Sequence, residues 1–211
     1  MKIVAIHQPN FFPWVGYFDK IKKSDCFIFL DDVQYTRGTM LNRVYLYSSK
    51  AICPVHYQYG QKIKDVEIVD YSNPRWKTKL IKTIRHNCNK NKIPFPQHIE
   101  DMILREEKSL CTYNIYNIMD MCSMLGIDLH KKNILRQSEL NTFSSRGQEL
   151  IADIVDLVGG DTYYAGVGSH SYMEESYMDS RGIDVVYQDI MEFPIYSTLH
   201  CILDGSYRNW F

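Results

Sequence analysis

Two rhythms of apolar and polar positions alternate along this chain, and each change of rhythm marks an element. "KIVAI" (2–6) is short, apolar and partly β-branched, the pattern of a strand buried on both faces. In "VGYFDKIKKS" (15–24) the apolar residues Val15, Phe18 and Ile21 recur at helical spacing, and Pro13 stands where a helix would begin. "CFIFL" (26–30) is a second buried strand. Strand, loop, helix and strand in so short a span make a βαβ unit, so the two strands are predicted to run parallel.

The middle of the chain is more strand-like. "VYLYSS" (44–49), "ICPVHYQY" (52–59) and "DVEIVD" (65–70) are candidates for an antiparallel extension. Helical spacing then returns. Trp76, Leu80, Ile81, Ile84 and Cys88 share a face over 75–88, "FPQHIEDMILREE" (95–107) is helical, and 112–125 carries a stripe ended by Gly126. "NILRQS" (133–138) reads as a strand. "SRGQELIADIVDLVGG" (145–160) reads as a helix opened by a Ser145/Gln148 capping box and closed by Gly159. "TYYAG" (162–166) and "DVVYQD" (184–189) are strands around a short helix, 171–182, opened by Ser171 with Glu174 three residues on. No repeat, low-complexity tract or linker interrupts the series. The expected organisation is one α/β domain over 1–211 with a mostly parallel sheet and a helical insertion at about 75–130.

Composition narrows the function classes. Lys+Arg (24) and Asp+Glu (25) balance, so nothing argues for nucleic acid. No stretch approaches the ~18 apolar residues of a membrane span, and the N-terminus lacks the pattern of a signal peptide. The six cysteines, at 26, 53, 88, 111, 122 and 201, form no CxxC pair and no zinc spacing. Reduced, buried thiols in a cytoplasmic protein are expected, with no metal site.

Candidate chemistry follows from position. In open parallel sheets ligands bind outside the carboxyl ends of the strands. That rule selects His7, Gln8 and Asn10 after the first strand, Asp31, Asp32 and Gln34 after the second, Ser138 in "RQSEL", and Gly166, Gly168 and Ser169 in "GVGSHS". His7 fits a general base, a donor to phosphate, or a core histidine satisfied by backbone. Successive strand residues alternate, so one of Asp31 and Asp32 faces the site while the other caps a turn or pairs with Arg37 or Arg43. An inward carboxylate fits a base toward an amine, a magnesium ligand or an acceptor from sugar hydroxyls. Asn42 and Arg43 suggest an anion clamp, with an ordinary surface arginine as the alternative. "GVGSHS" offers close backbone approach to an anion but lacks the lysine of a Walker loop. Pro9 and Pro13 stiffen the loop between the first strand and helix, where Phe11, Phe12, Trp14 and Tyr17 offer apolar walls, partly core and partly pocket. There is no GxSxG, HExxH or GxGxxG, so covalent serine catalysis and nicotinamide chemistry are not expected.

The stretch "IHQPNFFPWVGYFDKIKKSDCFIFLDDVQYTRGTMLNR" resembles the N-terminal signature of the WbqC-like protein family. "ICPV" (52–55), "RQSEL" (136–140) and "GGDTYYAGVGSHSYMEESYMDSRGIDVVYQDI" (159–190) are similar to its later segments, in order. The tail departs from the pattern: "CILDGSYRNWF" keeps Leu203-Asp204 and then stops. The opening is also similar to nucleotidyltransferase-like and Rossmann-like folds, without the paired-histidine signature of the former. The family resemblance implies surface-polysaccharide (O-antigen) biosynthesis and transfer of an acyl or aminoacyl group to the amino group of a nucleotide-linked deoxy amino sugar. Such a reaction points to His7 and Asp32 as proton acceptors. Two other readings stay open: a non-enzymatic sugar-nucleotide-binding module, and a carboxylate-activating enzyme using ATP and magnesium. The expected partner is the nucleotide-linked amino sugar, with self-association into a homo-oligomer left open.

Overall fold

In a computed structural model, which describes residues 1–46, 49–72, 75–190, 193, 194 and 196–211, the apolar runs at the start of the chain become β1 (Ile3–His7) and β2 (Cys26–Phe29). They pair in parallel, as the βαβ reading predicts, with Val4 opposite Cys26 and His7 opposite Phe29. The chain gathers into two compact units, each built from three segments. The first comprises Met1–Gln8, Gly16–Leu30 and Asp128–Phe193; the second comprises Pro9–Val15, Asp31–Ile127 and Pro194–Phe211. The helices expected as an insertion at 75–130 lie within the longer Asp31–Ile127 segment of the second unit.

The first unit is a five-stranded sheet. β7 (Asn133–Arg136) adds to β2, β8 (Thr162–Ala165) adds to the other side of β1, and β9 (Asp184–Tyr187) follows, giving the order β7-β2-β1-β8-β9 with every pair parallel. Val4 and Ala5 are inaccessible, and all of β2 and β8 is buried. Burial on both faces is why these strands read as continuous apolar runs without alternation. The helices α1 (Val15–Lys23, its first residue grouped with the second unit), α5 (Gly147–Leu157) and α6 (Glu175–Ser180) belong to this unit. At Gly160, past the end of α5, a Cβ would stand 2.3 Å from Val4 Cγ2, so the close approach to β1 needs glycine. Asp19 ties α1 down. Its Oδ2 accepts from Tyr164 OH (2.9 Å) and Gln188 Nε2 (2.8 Å), and its Oδ1 pairs with Lys23 at 3.0 Å.

Two helix starts differ from expectation. Ser145 and Gln148 form no capping box: Ser145 Oγ donates to Asp153 and Gln148 Oε1 accepts from the Glu174 N–H. The cap position of α5 is Arg146, followed by Gly147 at φ 56°. Ser171 does not open α6; residues 167–171 form a 3₁₀ turn in which Ser171 Oγ donates to Gly168 O, and the helix begins at Glu175.

In the second unit, β3 (Arg43–Leu46) and β4 (Ser49–Ile52) form one antiparallel ribbon, and β5 (Val55–His56) and β6 (Glu67–Ile68) another. Residues 47 and 48 of the strand expected at 44–49 lie outside the described residues, and the strand expected at 65–70 shortens to β6. The helices are α2 (Arg75–Lys90), α3 (Gln97–Leu104), α4 (Leu110–Met124) and α7 (Thr198–Asp204). Ser109 caps α4 by accepting from the Thr112 N–H, and Gly126, at φ 71°, follows its end as the spacing predicts.

The aromatic loop Pro9–Val15 is core of this second unit. Phe11 and Phe12 are about 1% exposed, and the Phe11 ring sits 5.8 Å from Trp76 and 6.3 Å from Tyr113. Asn114 Nδ2 donates to Pro9 O and to Leu41 O, both at 2.8 Å. Ser197 Oγ donates to Phe12 O at 2.8 Å, and Phe12 takes φ 45°, a left-handed conformation rare outside glycine. Packing and side-chain hydrogen bonds thus hold a strained loop that the sequence suggested as pocket wall.

Candidate functional site

The strand order reverses beside β1. From the centre the chain builds outward through β2 on one side, then through β8 and β9 on the other. A crevice at such a switch point, beyond the carboxyl ends of the strands, is where open α/β sheets bind ligands. A cavity of about 360 Å³ lies there, lined entirely by residues of the first unit. His7 and Gln8 come from the end of β1, Leu30 from the end of β2, and Gly166, Gly168 and Ser169 from the turn after β8. Nothing stands within 4 Å of where a Cβ would project from Gly166 or Gly168, so the turn leaves room at the cavity. Tyr163 and Tyr172 add aromatic surface, and the Ser169 and Tyr172 hydroxyls are 3.1 Å apart.

Two basic side chains share this cavity. His7 is half-buried, its ring edge-on to Tyr17 with centroids 4.8 Å apart. Tyr17 OH donates to Gln8 O at 3.0 Å, which fixes the turn out of β1. Burial, and then the charge of Lys20, drive the His7 pKa well below the usual histidine range. The imidazole is therefore neutral at physiological pH, with the basicity of its ring weakened by the same burial. Lys20, on α1, is 3% exposed; its Nζ donates to Ile6 O at 2.9 Å and lies 5.9 Å from the centroid of the Tyr163 ring. Burial brings its pKa down from 10.5 to about 7.

Of the residues expected at the site, His7, Gln8, Gly166, Gly168 and Ser169 converge on the cavity. Ser138 also belongs to the first unit, half-buried in a 3₁₀ turn after β7, and does not line it. Asn10, Trp14, Asp31, Asp32, Gln34, Asn42 and Arg43 belong to the second unit. There Trp14 bridges to Ser197, and Asn42 Nδ2 donates to Cys53 O at 2.9 Å. Gln34 is exposed and bridged to Lys62. Asp31 is fully buried and accepts from Cys111 Sγ at 3.8 Å.

Asp32, expected as the inward carboxylate, pairs with Lys62 (2.7 Å) and Lys64 (2.6 Å). Partial burial works upward on its carboxyl, but the hydrogen bonds and charges of the two lysines outweigh it and hold the pKa below the ordinary carboxylate range. A carboxylate so stabilised is a weak base and, already shared by two ammonium groups, a poor magnesium ligand. Among the described residues no group of three His, Cys, Asp or Glu side chains is placed to hold a metal ion.

Six contributors escaped the sequence reading: Ile6, Lys20, Leu30, Ile151, Tyr163 and Tyr172. Tyr163 and Tyr172 flank "GVGSHS" and were within reach of the strand-end rule. Lys20 gave no such signal, since a lysine in an amphipathic helix reads as solvated surface. Of the expected mixture of core and pocket wall, Phe11, Phe12 and Tyr17 are buried core, and none of these or Trp14 lines the cavity.

A parallel sheet with a lined cavity at its switch point defines an open, Rossmann-like α/β protein. The chain belongs to the WbqC-like protein family, whose model matches residues 8–202. It is similar to the uncharacterized protein Rv1507c of Mycobacterium tuberculosis (strain ATCC 25618 / H37Rv), at 27% identity over 208 residues, covering 94% of this chain and 87% of the relative. No solved structure matches the chain. None of its helices is long and apolar enough to cross a membrane, among the described residues.

Proposed function

We propose that this protein is a cytoplasmic transferase of surface-polysaccharide synthesis, which attaches an acyl or aminoacyl group to the amino group of a nucleotide-linked deoxy amino sugar. The observation that carries the reading is His7, a histidine kept neutral in the lining of a switch-point cavity. Amide formation needs an ammonium to lose a proton before its nitrogen can attack a carbonyl carbon. A neutral imidazole accepts that proton as the C–N bond forms, and it can return a proton to the departing group. Gln8 and Ser169 supply hydrogen-bonding groups at the same cavity, and Tyr172 offers an aromatic face for a sugar ring. Asp32 has no base role in this scheme, because Lys62 and Lys64 hold its charge.

The test is product formation, read by mass spectrometry, from purified nucleotide-linked amino sugars and candidate acyl donors. His7→Ala is expected to lower turnover by ~100 to 10,000-fold, the range for losing a general base. A folded His7→Ala protein that turns over at the wild-type rate removes the base role.

A further inference from the structure

Lys20 is unusual on geometry alone. The residue is 3% exposed and lines the cavity, and its Nζ bond to Ile6 O is buried. Of three N–H donors, one is used, toward Ile6 O. Among the described residues no carboxylate pairs with Nζ. Asp19, its neighbour on α1, turns to Tyr164, Gln188 and Lys23. The groups that face Nζ are His7 from β1 and the Tyr163 ring from β8, and Tyr172 lines the same cavity. Neither His7 nor Tyr163, whose hydroxyl burial pushes up, is an anion at neutral pH. A buried cation with open donors and no counter-charge is costly unless a ligand completes it.

We propose that Lys20 is the anchor for an oxyanion, phosphoryl or carboxylate, on the ligand that fills the first unit's cavity. The missing counter-charge is then supplied by the ligand, and Gly166 and Gly168 leave space beside it. The proposal rests on the transferase reading only in taking this cavity as the substrate site. Either substrate of such a reaction carries a suitable group: the pyrophosphate of a nucleotide sugar, or the carboxylate of an acyl donor. Anion binding also has a proton signature. Empty, the amine is mostly neutral above pH 8; occupied, it must be ammonium, so about one proton is taken up per anion bound at pH 8.5.

The experiment is calorimetric titration of the full chain at pH 8.5 with sulfate, a stand-in for phosphoryl, and with acetate. Neither probe titrates at that pH, and two buffers of different protonation enthalpy report proton uptake. Sulfate or acetate is expected to bind with uptake of about one proton. Lys20→Met should weaken binding at least tenfold. Lys20→Arg should keep binding without uptake, because the guanidinium is already charged. His7→Gln should keep the uptake, which assigns it to the lysine. Preference for sulfate identifies the phosphoryl source, and preference for acetate the carboxylate source. Equal binding by wild type and Lys20→Met, or no binding of either anion to wild type, overturns the proposal. The titrations contain no amino sugar and no acyl donor, so their failure leaves the transfer assay to judge the reaction separately.

Discussion

Lys20→Met should make this protein more stable at neutral pH, and the gain should fade as pH rises. The lysine's pKa falls from 10.5 unfolded to about 7 folded. Between those values the unfolded chain holds a proton that the folded chain has shed, so wild-type stability increases with pH across that window. Each pH unit there is worth ~1.4 kcal/mol, which makes the burial cost on the order of 4 kcal/mol at pH 7, about half that at pH 9, and close to zero at 10.5. Nζ is almost fully buried, so solvent screening reduces this little. Against it stands the lost hydrogen bond to Ile6 O, worth ~1 to 2 kcal/mol. Methionine has similar length and no charge to bury, so a net gain of ~2 kcal/mol remains at pH 7. For a chain of this size that is roughly 4 to 8 °C in Tm. The assay is thermal unfolding of both proteins at pH 7 and pH 9. Every other titrating group is common to the two, and His7, whose pKa the Lys20 charge lowers, is neutral across this window, so their difference isolates Lys20. A variant less stable than wild type at pH 7, or a difference that does not shrink by pH 9, refutes the reasoning.

Two further outcomes follow from the electrostatics. Asp32→Asn should cost ~1 kcal/mol or less at pH 7, since both lysine partners are substantially exposed. The depressed carboxyl contributes fully above its unfolded pKa and loses that contribution as pH falls to its folded value, so denaturant midpoints of variant and wild type should converge there; turnover should change less than tenfold, and a loss of a hundredfold would restore Asp32 as the base. All six cysteines are buried thiols, and none is disulfide-bonded. Burial raises the Cys26 and Cys53 thiols and brings Cys201 up to about 11. Iodoacetamide at pH 8 should therefore modify none of the native protein in the time it modifies all six after denaturation, with mass spectrometry as the readout.

What the sequence disclosed was set by local pattern. β1, β2 and β8 were legible because doubly covered parallel strands leave apolar runs, and the edge strands β7 and β9, only partly buried, from their short apolar and β-branched stretches. His7 and the 166–169 turn followed from their places at strand ends. Two kinds of feature were hidden. Lys20 is buried because β8, whose residues begin at Thr162, packs on α1, and nothing within "VGYFDKIKK" records that. Phe11 and Phe12 are core through Trp76 and Tyr113, so an aromatic loop at a strand end looked like a pocket wall. The partners of Asp32 were hidden for the same reason: Lys62 and Lys64 lie about thirty residues on.

Neither unit is a continuous stretch of chain, and this has a consequence for how the protein is made. His7 and Lys20 leave the ribosome early, but the wall that encloses them, from Tyr163 to Tyr172, is translated about 150 residues later. At ordinary elongation rates that delay is on the order of ten seconds. Throughout it, β1 has only β2 beside it, and its other edge is open until β8 emerges. A nascent chain with an unpaired parallel edge and an unenclosed lysine invites strand addition or chaperone capture. The same interleaving means that no contiguous fragment can be cut out carrying the cavity alone, so domain dissection is not a route to its chemistry.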